Sequence, residues 1–346
     1  MCAGEEGQLG QLVEVDGRQR AAQVVAERAN HRCFAGNLPA SPSFSAPGRS
    51  RRRIRPGGTG SMVRVVIGGV AAVVGRHLAG YEVRSVVRLG GGLDNVVYLV
   101  NGELVVRGSR EVDPAGTRRE AELLGVVAGF SSLPVPELVF VDVEAGVLAY
   151  RKLPGVPLLG HPVAEPARLA APLGEFVGRL HQAPLAEMER LVPRDHHPPP
   201  AWLEEAERDY RDVVGHVPAA ARPLVEAFLG SPPPPEPTAL AFCHNDLGSE
   251  HVLVDVQTTT VTGVIDWTDA AIADPAYDLA LLRRDLGLEF LDLMLAHYGE
   301  PWDDADSERA RFYARCALLE DLAYGVRTGA RLYAEAALAH LDPTFA

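Results

Sequence analysis

The chain lacks the features that mark membrane, disulfide-rich and metal–thiolate proteins. No apolar run reaches the roughly 18 residues that a transmembrane helix needs, because arginine and histidine interrupt the nearest candidate, residues 62–80. The first 30 residues contain acidic residues and no apolar segment of a secretory signal. No CxxC or other metal-binding spacing occurs among the four cysteines, which are Cys2, Cys33, Cys243 and Cys316. We therefore expect a cytoplasmic protein with reduced thiols and no membrane partner.

Lysine is nearly absent as well, since Lys152 is the only one and arginine carries the rest of the positive charge. Acidic residues outnumber lysine and arginine by 46 to 33, which gives a net charge of −13. A surface of this balance repels the phosphates of nucleic acid and concentrates cations. We expect no nucleic-acid partner and consider a cationic ligand, although acidic residues also serve solubility alone.

Composition divides the chain into a short irregular part and a longer regular part. Residues 1–61 are rich in Gly, Pro, Ser and Arg and include the basic run GRSRRRIRPGG at 48–58. We expect a disordered N-terminal extension there, with a basic tail for nucleic acid or a membrane surface as the alternative. Beyond it, an overall hydrophobic content of 47% and the length of 346 residues suffice for two lobes with cores.

The pattern over residues 62–153 predicts an antiparallel sheet with helices, an N-lobe. Asn101-Gly102 is a strong two-residue turn signal between two apolar runs. Asp113 suits the cap of a helix that has Pro114 in its first turn and ends at Gly129. The predicted strands are 81–89, 95–100, 103–108, 136–144 and 146–153, and the predicted helices are one within 64–79 and one over 113–129.

Residues 154–346 are predicted to form a mainly helical C-lobe after the linker 153–160. Two proline-rich breaks, at 198–200 and 231–237, separate helical segments from short strands. The predicted helices are 166–183, 201–214, 219–229, 276–298, 306–322 and 325–340. The fold class is therefore α+β, with a sheet-rich N-lobe and a helical C-lobe.

Two adjacent stretches carry the chemistry: FCHNDLGSEHVLVD at 242–255 and VTGVIDWTDAAIADP at 261–275. Asp246, in a loop between strands, can accept a proton from a hydroxyl group. His251 and Asp266 can turn to the same pocket as metal ligands, an arrangement typical of magnesium sites that neutralise phosphate oxygens. An isolated HxD or a single histidine means little, so the prediction depends on the order of the whole set.

This order resembles the aminoglycoside phosphotransferase family, which shares the protein-kinase fold and has the motifs HxDxxxxN and IDxxx. The resemblance covers roughly residues 81–340 and is greatest to aminoglycoside 2''-phosphotransferases, with macrolide 2'-phosphotransferases also similar. It implies a bilobal kinase-like fold and an ATP- or GTP-dependent kinase that phosphorylates a hydroxyl of an antibiotic and gives resistance. It also implies Mg²⁺ as cofactor, a small cationic antibiotic as substrate and a monomeric enzyme.

By this resemblance, Asp246 is the catalytic base, His251 and Asp266 are the metal ligands, and His244 braces the loop. The glycine-rich turn covers the phosphates, Glu120 pairs with the phosphate-binding Arg107, and the segment after Tyr150 holds the base through its backbone. The implied nucleotide-binding residues are Gly91, Gly92, Asp94, Arg107, Glu120, Tyr150, Arg151 and Leu153. The implied substrate-binding residues are Ser249, Glu250 and Asp269, whereas Glu320 and Asp321 are expected on a solvated face.

Two residues depart from the family pattern. Arg107 stands where lysine is usual, and the two cations differ in geometry. His251 stands where asparagine is usual, and because magnesium prefers oxygen ligands we expect Mn²⁺ to be accepted too. These departures leave open a non-catalytic pseudokinase that binds nucleotide or a partner. A kinase for a macrolide or another small molecule is a second alternative, because the motifs specify the superfamily more closely than the substrate.

Overall fold

Five antiparallel strands form the N-lobe of the computed structural model, which describes residues 67–90 and 95–346. The strands lie in the order β1-β2-β3-β5-β4. Their bounds are β1 Val86–Gly90, β2 Asn95–Val100, β3 Leu104–Ser109, β4 Leu138–Asp142 and β5 Val147–Arg151. The first strand begins five residues later than predicted, and the predicted extension 1–61 lies outside the described residues.

Local turn and cap chemistry explains how the N-lobe elements begin and end. Asn101 and Gly102 have φ angles of 52° and 77°, the left-handed pair that a tight hairpin between β2 and β3 requires. The Asp113 carboxylate accepts the Ala115 N–H at 3.1 Å and so caps helix α2, Pro114–Phe130. The hairpin and the cap are both as predicted, although α2 ends one residue beyond Gly129.

The two faces of the N-lobe sheet have different neighbours. One face packs on helix α1, Ile67–His77, through a core that includes Val70, Tyr98 and Val106. Arg107 of β3 pairs with Leu148 of β5, and Tyr150 lies two residues further along β5. Because cross-strand partners and alternate residues share a face, Arg107 and Tyr150 lie on the opposite face from α1.

Helix α2 contributes its buried side chains to the C-lobe core and also contacts strands β4 and β5 of the N-lobe sheet. Its buried residues Leu123, Leu124 and Val127 belong to the same apolar cluster as Phe176 and Leu282. The helix is therefore the main apolar connection between the two lobes, and the chain itself connects them through the segment after β5.

The C-lobe combines helices with two small sheets. Strands β6 Val156–Pro157, β8 Val252–Asp255 and β9 Thr260–Val264 form one sheet, and β7 Ala241–Cys243 pairs with β10 Ala271–Ala273. A 3-10 turn, Pro166–Leu169, precedes the helices. These are α3 Ala170–His181, α4 Leu185–Met188, α5 Pro199–Val213, α6 Arg222–Leu229, α7 Ala276–Leu286, α8 Leu288–Leu295, α9 Asp304–Thr328, α10 Arg331–Ala339 and α11 Leu341–Phe345.

Three helix predictions were wrong in their boundaries. The helix predicted over 276–298 is two helices, because Gly287 adopts φ 91° and ends α7. The break predicted between 322 and 325 lies instead at Gly329, after the long helix α9. Pro199 and Pro200, which were predicted to lie in a break between helices, instead occupy the first turn of α5, where proline is tolerated.

Within residues 67–90 and 95–346, no helix combines the length and apolar composition needed to cross a bilayer. Cys243 and Cys316 are buried and free, which agrees with the expected reduced thiols.

Candidate active site

Residues 244–251, here called the histidine turn, connect β7 to β8 beneath the N-lobe. The turn holds itself together by backbone bonds: Gly248 donates to the carbonyl of Asp246, and His251 donates to that of Gly248, each at 3.0 Å. Its side chains are almost entirely buried, with Asp246 3% exposed and His251 0% exposed. Such a closed turn gives its side chains fixed directions.

His244 braces the start of the turn, as expected. Its Nε2 lies 3.1 Å from the carbonyl oxygen of Ile265, next to Asp266. Because a carbonyl oxygen only accepts, this nitrogen carries the proton. Burial lowers the pKa of His244, with Asp278 opposing, so the ring is held neutral.

Asp246 and His251 are joined across the turn. His251 Nδ1 lies 2.7 Å from the backbone oxygen of Asp246 and 3.5 Å from its carboxylate Oδ2. In the neutral ring, the backbone bond puts the proton on Nδ1 and leaves Nε2 with its lone pair. Nε2 meets no hydrogen-bond partner among the described residues, which is the condition of a histidine ready to ligate a metal.

Asp266 completes this side of the site. It follows β9 with φ 65°, a left-handed backbone conformation that is uncommon for residues other than glycine. Its carboxylate interacts with His251 of the histidine turn and with Arg107 of the N-lobe sheet, and the space between these two surfaces is here called the cleft. Thr268 Oγ1 donates to Asp266 Oδ1 at 2.7 Å, and Oδ2 lies 3.9 Å from His251 Nε2. One imidazole nitrogen and one carboxylate oxygen therefore face each other across 3.9 Å.

Negative charge surrounds His251. Burial alone would lower the pKa of His251, but the carboxylates of Asp246, Glu250 and Asp266 raise it overall. Ligand atoms of Asp246, Glu250 and His251 lie within 4.8 Å of one another. A buried site with this excess of carboxylates favours a cation. The donor set fits a divalent metal ion, and its nitrogen suits Mn²⁺ better than it suits Mg²⁺.

The N-lobe face of the cleft carries an ion pair. Both guanidinium Nη atoms of Arg107 bond the Glu120 carboxylate of α2, with Nη2 to Oε2 at 2.9 Å. Burial would lower the pKa of Arg107, but Glu120 and, more weakly, Asp266 raise it above its ordinary value. Arg107 thus stays charged, and the Asp266 carboxylate of the C-lobe adds to the negative charge that it faces.

Tyr150 borders the same cation. Burial raises the pKa of Tyr150, with Arg107 opposing and Asp266 adding to it, so the phenol stays protonated. The next residues, Arg151 and Lys152, are exposed, and their N–H groups bond the carbonyls of Glu137 and Glu103. Leu153 is half-buried. The predicted phosphate-covering residues Gly91, Gly92 and Asp94 lie outside the described residues.

The residues predicted to bind the acceptor substrate differ in their exposure to solvent. Asp269 is half-buried in the turn that precedes β10, whereas Ser249 and Glu250 are 7% and 1% exposed and line a small cavity. Asp321 borders the same cavity and lies 2.8 Å from Arg284. The expectation of a solvated face was wrong for Asp321, because α9 packs this position against α7; Glu320 is half-buried.

Sequence reasoning missed the buried cluster that anchors the turn. Asp278 of α7 accepts the N–H groups of His244 and Asn245 at 2.8 and 2.7 Å. His181 of α3 lies 3.2 Å from Asp278, and its other nitrogen lies 2.7 Å from the Tyr298 hydroxyl. The sequence signal that could have revealed Asp278 is its position four residues after Asp274, in the stretch DPAYD.

Comparison with protein families gave one match over most of the described chain. The model of the family described as "Phosphotransferase enzyme family" (APH) matches residues 85–313. This range contains Arg107, Glu120, the histidine turn and Asp266.

Individual proteins with similar sequence or structure agree with it. Viomycin phosphotransferase of Streptomyces vinaceus is 28% identical over 191 residues, which are 54% of this chain and 66% of that protein. The GDP and kanamycin complex of APH(2")-IIia has a TM-score of 0.61 at 24% identity, covering 80% of this chain and 97% of that one. Macrolide 2'-phosphotransferase MphH of Brachybacterium faecium has a TM-score of 0.55 at 25% identity, covering 80% and 99%. The predicted bilobal, kinase-like α+β fold is thus confirmed.

Proposed function

The chain belongs to the phosphotransferase enzyme family, and on that premise we propose that it transfers a phosphoryl group from ATP or GTP to a hydroxyl of an aminoglycoside antibiotic. The observation that carries the proposal is the convergence of Asp246, His251 and Asp266 on one wall of the cleft. Phosphoryl transfer needs mainly positioning and charge neutralisation, and these three side chains offer both. The outcome for a cell would be antibiotic resistance.

Asp246 would act as the base. Its carboxylate lies in the closed turn, 3.5 Å from the His251 ring, and would orient the acceptor hydroxyl and take its proton. His251 and Asp266 would hold the metal ion, Mg²⁺ or Mn²⁺. When bound, that ion would neutralise charge on the phosphate oxygens of the donor.

The N-lobe residues would hold the nucleotide. Arg107, fixed by Glu120, would meet the phosphates from the side opposite the metal ligands. The backbone of Arg151 and Leu153 would bind the base, and Tyr150 would limit the space behind it. Gly91, Gly92 and Asp94 would cover the phosphates. We propose that the protein acts in the cytoplasm, because ATP and GTP are available in that compartment.

The acceptor side supports a cationic substrate. The protein has a net charge of −13, and Ser249, Glu250 and Asp269 each lie within three residues of a proposed catalytic or metal residue in sequence. We propose that Asp269 contacts the substrate directly and that Ser249 and Glu250 shape its site, in a monomeric enzyme. Viomycin phosphotransferase among the relatives supports an antibiotic as the acceptor.

A macrolide is the second candidate acceptor. It is favoured by the 25% identity to macrolide 2'-phosphotransferase MphH over 80% of this chain. Fold alone does not choose between the two substrates. The acid-rich C-lobe favours the cationic one, because a macrolide site would offer more apolar surface.

A substrate panel tests the proposal directly. Kanamycin, gentamicin, hygromycin, viomycin and erythromycin would each be incubated with ATP or GTP and Mg²⁺, and the product mass measured. We expect a phosphorylated aminoglycoside and no product with the Asp246→Asn variant. Phosphorylation of erythromycin alone would show that the substrate is a macrolide and not an aminoglycoside. Nucleotide binding without any product would indicate a pseudokinase.

A further inference from the structure

Helix α7 holds both ends of the histidine turn. Asp278 in its first turn accepts the N–H groups of His244 and Asn245. Asp285, seven residues later and therefore on the same helical face, accepts the N–H of Ser249 at 2.7 Å. The residue that bears the proposed base lies between the two anchoring points.

The bond from Ser249 acts on His251 through a single peptide group. The N–H of Ser249 and the carbonyl of Gly248 belong to the same planar unit, so the direction of one fixes the direction of the other. That carbonyl accepts the N–H of His251 at 3.0 Å. Asp285 therefore orients the Gly248 carbonyl group that accepts the backbone N–H of His251.

Arg284 in turn fixes the carboxylate of Asp285. Its Nε lies 2.6 Å from Asp285 Oδ1 and its Nη2 lies 2.9 Å from Oδ2, a paired contact that allows one orientation. Nη1 of Arg284 lies 2.8 Å from Asp321 of α9. Arg284 is only 4% exposed, so this network is shielded from water and from screening by salt.

The geometry points to Asp285, oriented by Arg284, as a positioning residue that sets the metal-ligating direction of His251. The inference rests on the proposed function to the extent that His251 is a metal ligand. Asp285 itself touches neither nucleotide nor acceptor in this assignment. Its removal would loosen one metal ligand while leaving Asp269, the residue proposed to contact the substrate directly, in place.

Four variants separate positioning from general stability. Asp285→Asn keeps an oxygen for Ser249 but loses the ionic contact with Arg284, and Asp285→Ala loses both. Leu291→Ala removes a buried side chain from the C-lobe core on another helix, α8, and serves as a control for lost stability. Asp292→Asn, an exposed acid on the same helix, controls for charge.

Mn²⁺ binding is measured first, by titrating each full-length variant in the presence of GDP. We expect the Mn²⁺ affinity to fall about tenfold in Asp285→Ala and less in Asp285→Asn, since supporting residues of metal sites have effects of this size. Leu291→Ala and Asp292→Asn should keep the wild-type affinity. Exchange of the ¹⁵N-labelled Ser249 amide should accelerate in the two Asp285 variants beyond its rate in Leu291→Ala.

Kinetics with whichever antibiotic the wild type phosphorylates complete the test. We expect kcat to fall about tenfold in Asp285→Ala, with the acceptor KM changed by less than about threefold. A Mn²⁺ affinity in Asp285→Ala equal to that of Leu291→Ala at matched melting temperature would overturn the inference. A wild type that phosphorylates no antibiotic would instead refute the proposed function, and the Mn²⁺ and exchange data would still decide the role of Asp285. If Asp285→Ala does not fold, Asp285→Asn decides by the same criteria.

Discussion

His251 Nδ1 lies 2.7 Å from the main-chain oxygen of Asp246, so the proposed metal ligand is oriented by the backbone of the proposed base and not by its carboxylate. The two functions are thereby separable by mutation. A change in the Asp246 side chain removes the base and leaves the histidine in place.

Asp246→Asn should therefore abolish turnover without abolishing donor binding. A general base typically contributes about 10²–10⁴-fold to the rate, and we expect a loss of kcat in that range. Nucleotide affinity, measured by calorimetry with Mg²⁺ present, should stay within about threefold of wild type. If the variant retained a third of the wild-type rate, another residue would have to be the base.

Asp266→Asn should remove the metal dependence of nucleotide binding. Asparagine tolerates the left-handed conformation that Asp266 adopts at φ 65°, so the backbone is preserved and only the charge is lost. Titration of Mg²⁺ and of Mn²⁺ with a fixed concentration of GDP measures the effect, with Asp292→Asn as control. An unchanged apparent metal affinity would exclude Asp266 from the site.

Tyr150→Ala should widen the use of phosphate donors. The ring lies on the cleft face of the sheet beside Arg107, and we expect it to disfavour adenine. GTP should then have the higher kcat/KM in the wild type, and the variant should gain with ATP. A tenfold preference needs only about 1.4 kcal/mol, which one steric clash can supply. Equal use of both donors before and after the change would contradict this role.

Gly178→Ala should destabilise the C-lobe. A Cβ atom at Gly178 of α3 would clash with the carbonyl oxygen of Tyr298, whose hydroxyl holds His181 against Asp278. Overpacking of this kind costs about 1–3 kcal/mol, measurable by urea unfolding. Gly125→Ala in α2 is the matched control, because its Cβ would meet nothing within 4 Å among the residues described, and it should be neutral or slightly stabilising.

Asp209→Asn should stabilise the protein at high pH more than at low pH. Burial raises the pKa of Asp209 to about 6, with the half-exposed Arg327 only partly opposing it. The folded state thus binds this proton more tightly than the unfolded state, whose pKa is near 3.8. The free energy of unfolding of the wild type therefore decreases by about 1–3 kcal/mol as the pH rises from about 4 to 6.

Urea unfolding at pH 5 and pH 8 measures this difference. Asp212→Asn is the control, because Asp212 is exposed and lies near the same arginine. A gain from Asp209→Asn that is identical at the two pH values would show that the buried carboxylate does not titrate in this window.

Features decided by neighbouring residues could be predicted from the sequence, and features decided by distant ones could not. The Asn101-Gly102 hairpin and the Asp113 cap depend on chemistry within a few residues. So does the order of Asp246, His251 and Asp266 along the chain. Asp278 and Asp285 act on N–H groups 33 to 36 residues away. Apart from the spacing of Asp278 from Asp274, the local pattern of α7 does not distinguish these two residues from surface acids.

The packing of helix α2 adds apolar burial to an electrostatic contact. Its Glu120 completes the cleft ion pair, yet Leu123, Leu124 and Val127 anchor the helix in the core of the other lobe. Swinging the helix outwards would expose these three side chains at about 1.5–3 kcal/mol each. The same three side chains thus hold Glu120 within reach of Arg107, so the apolar packing of the helix helps to keep the ion pair formed.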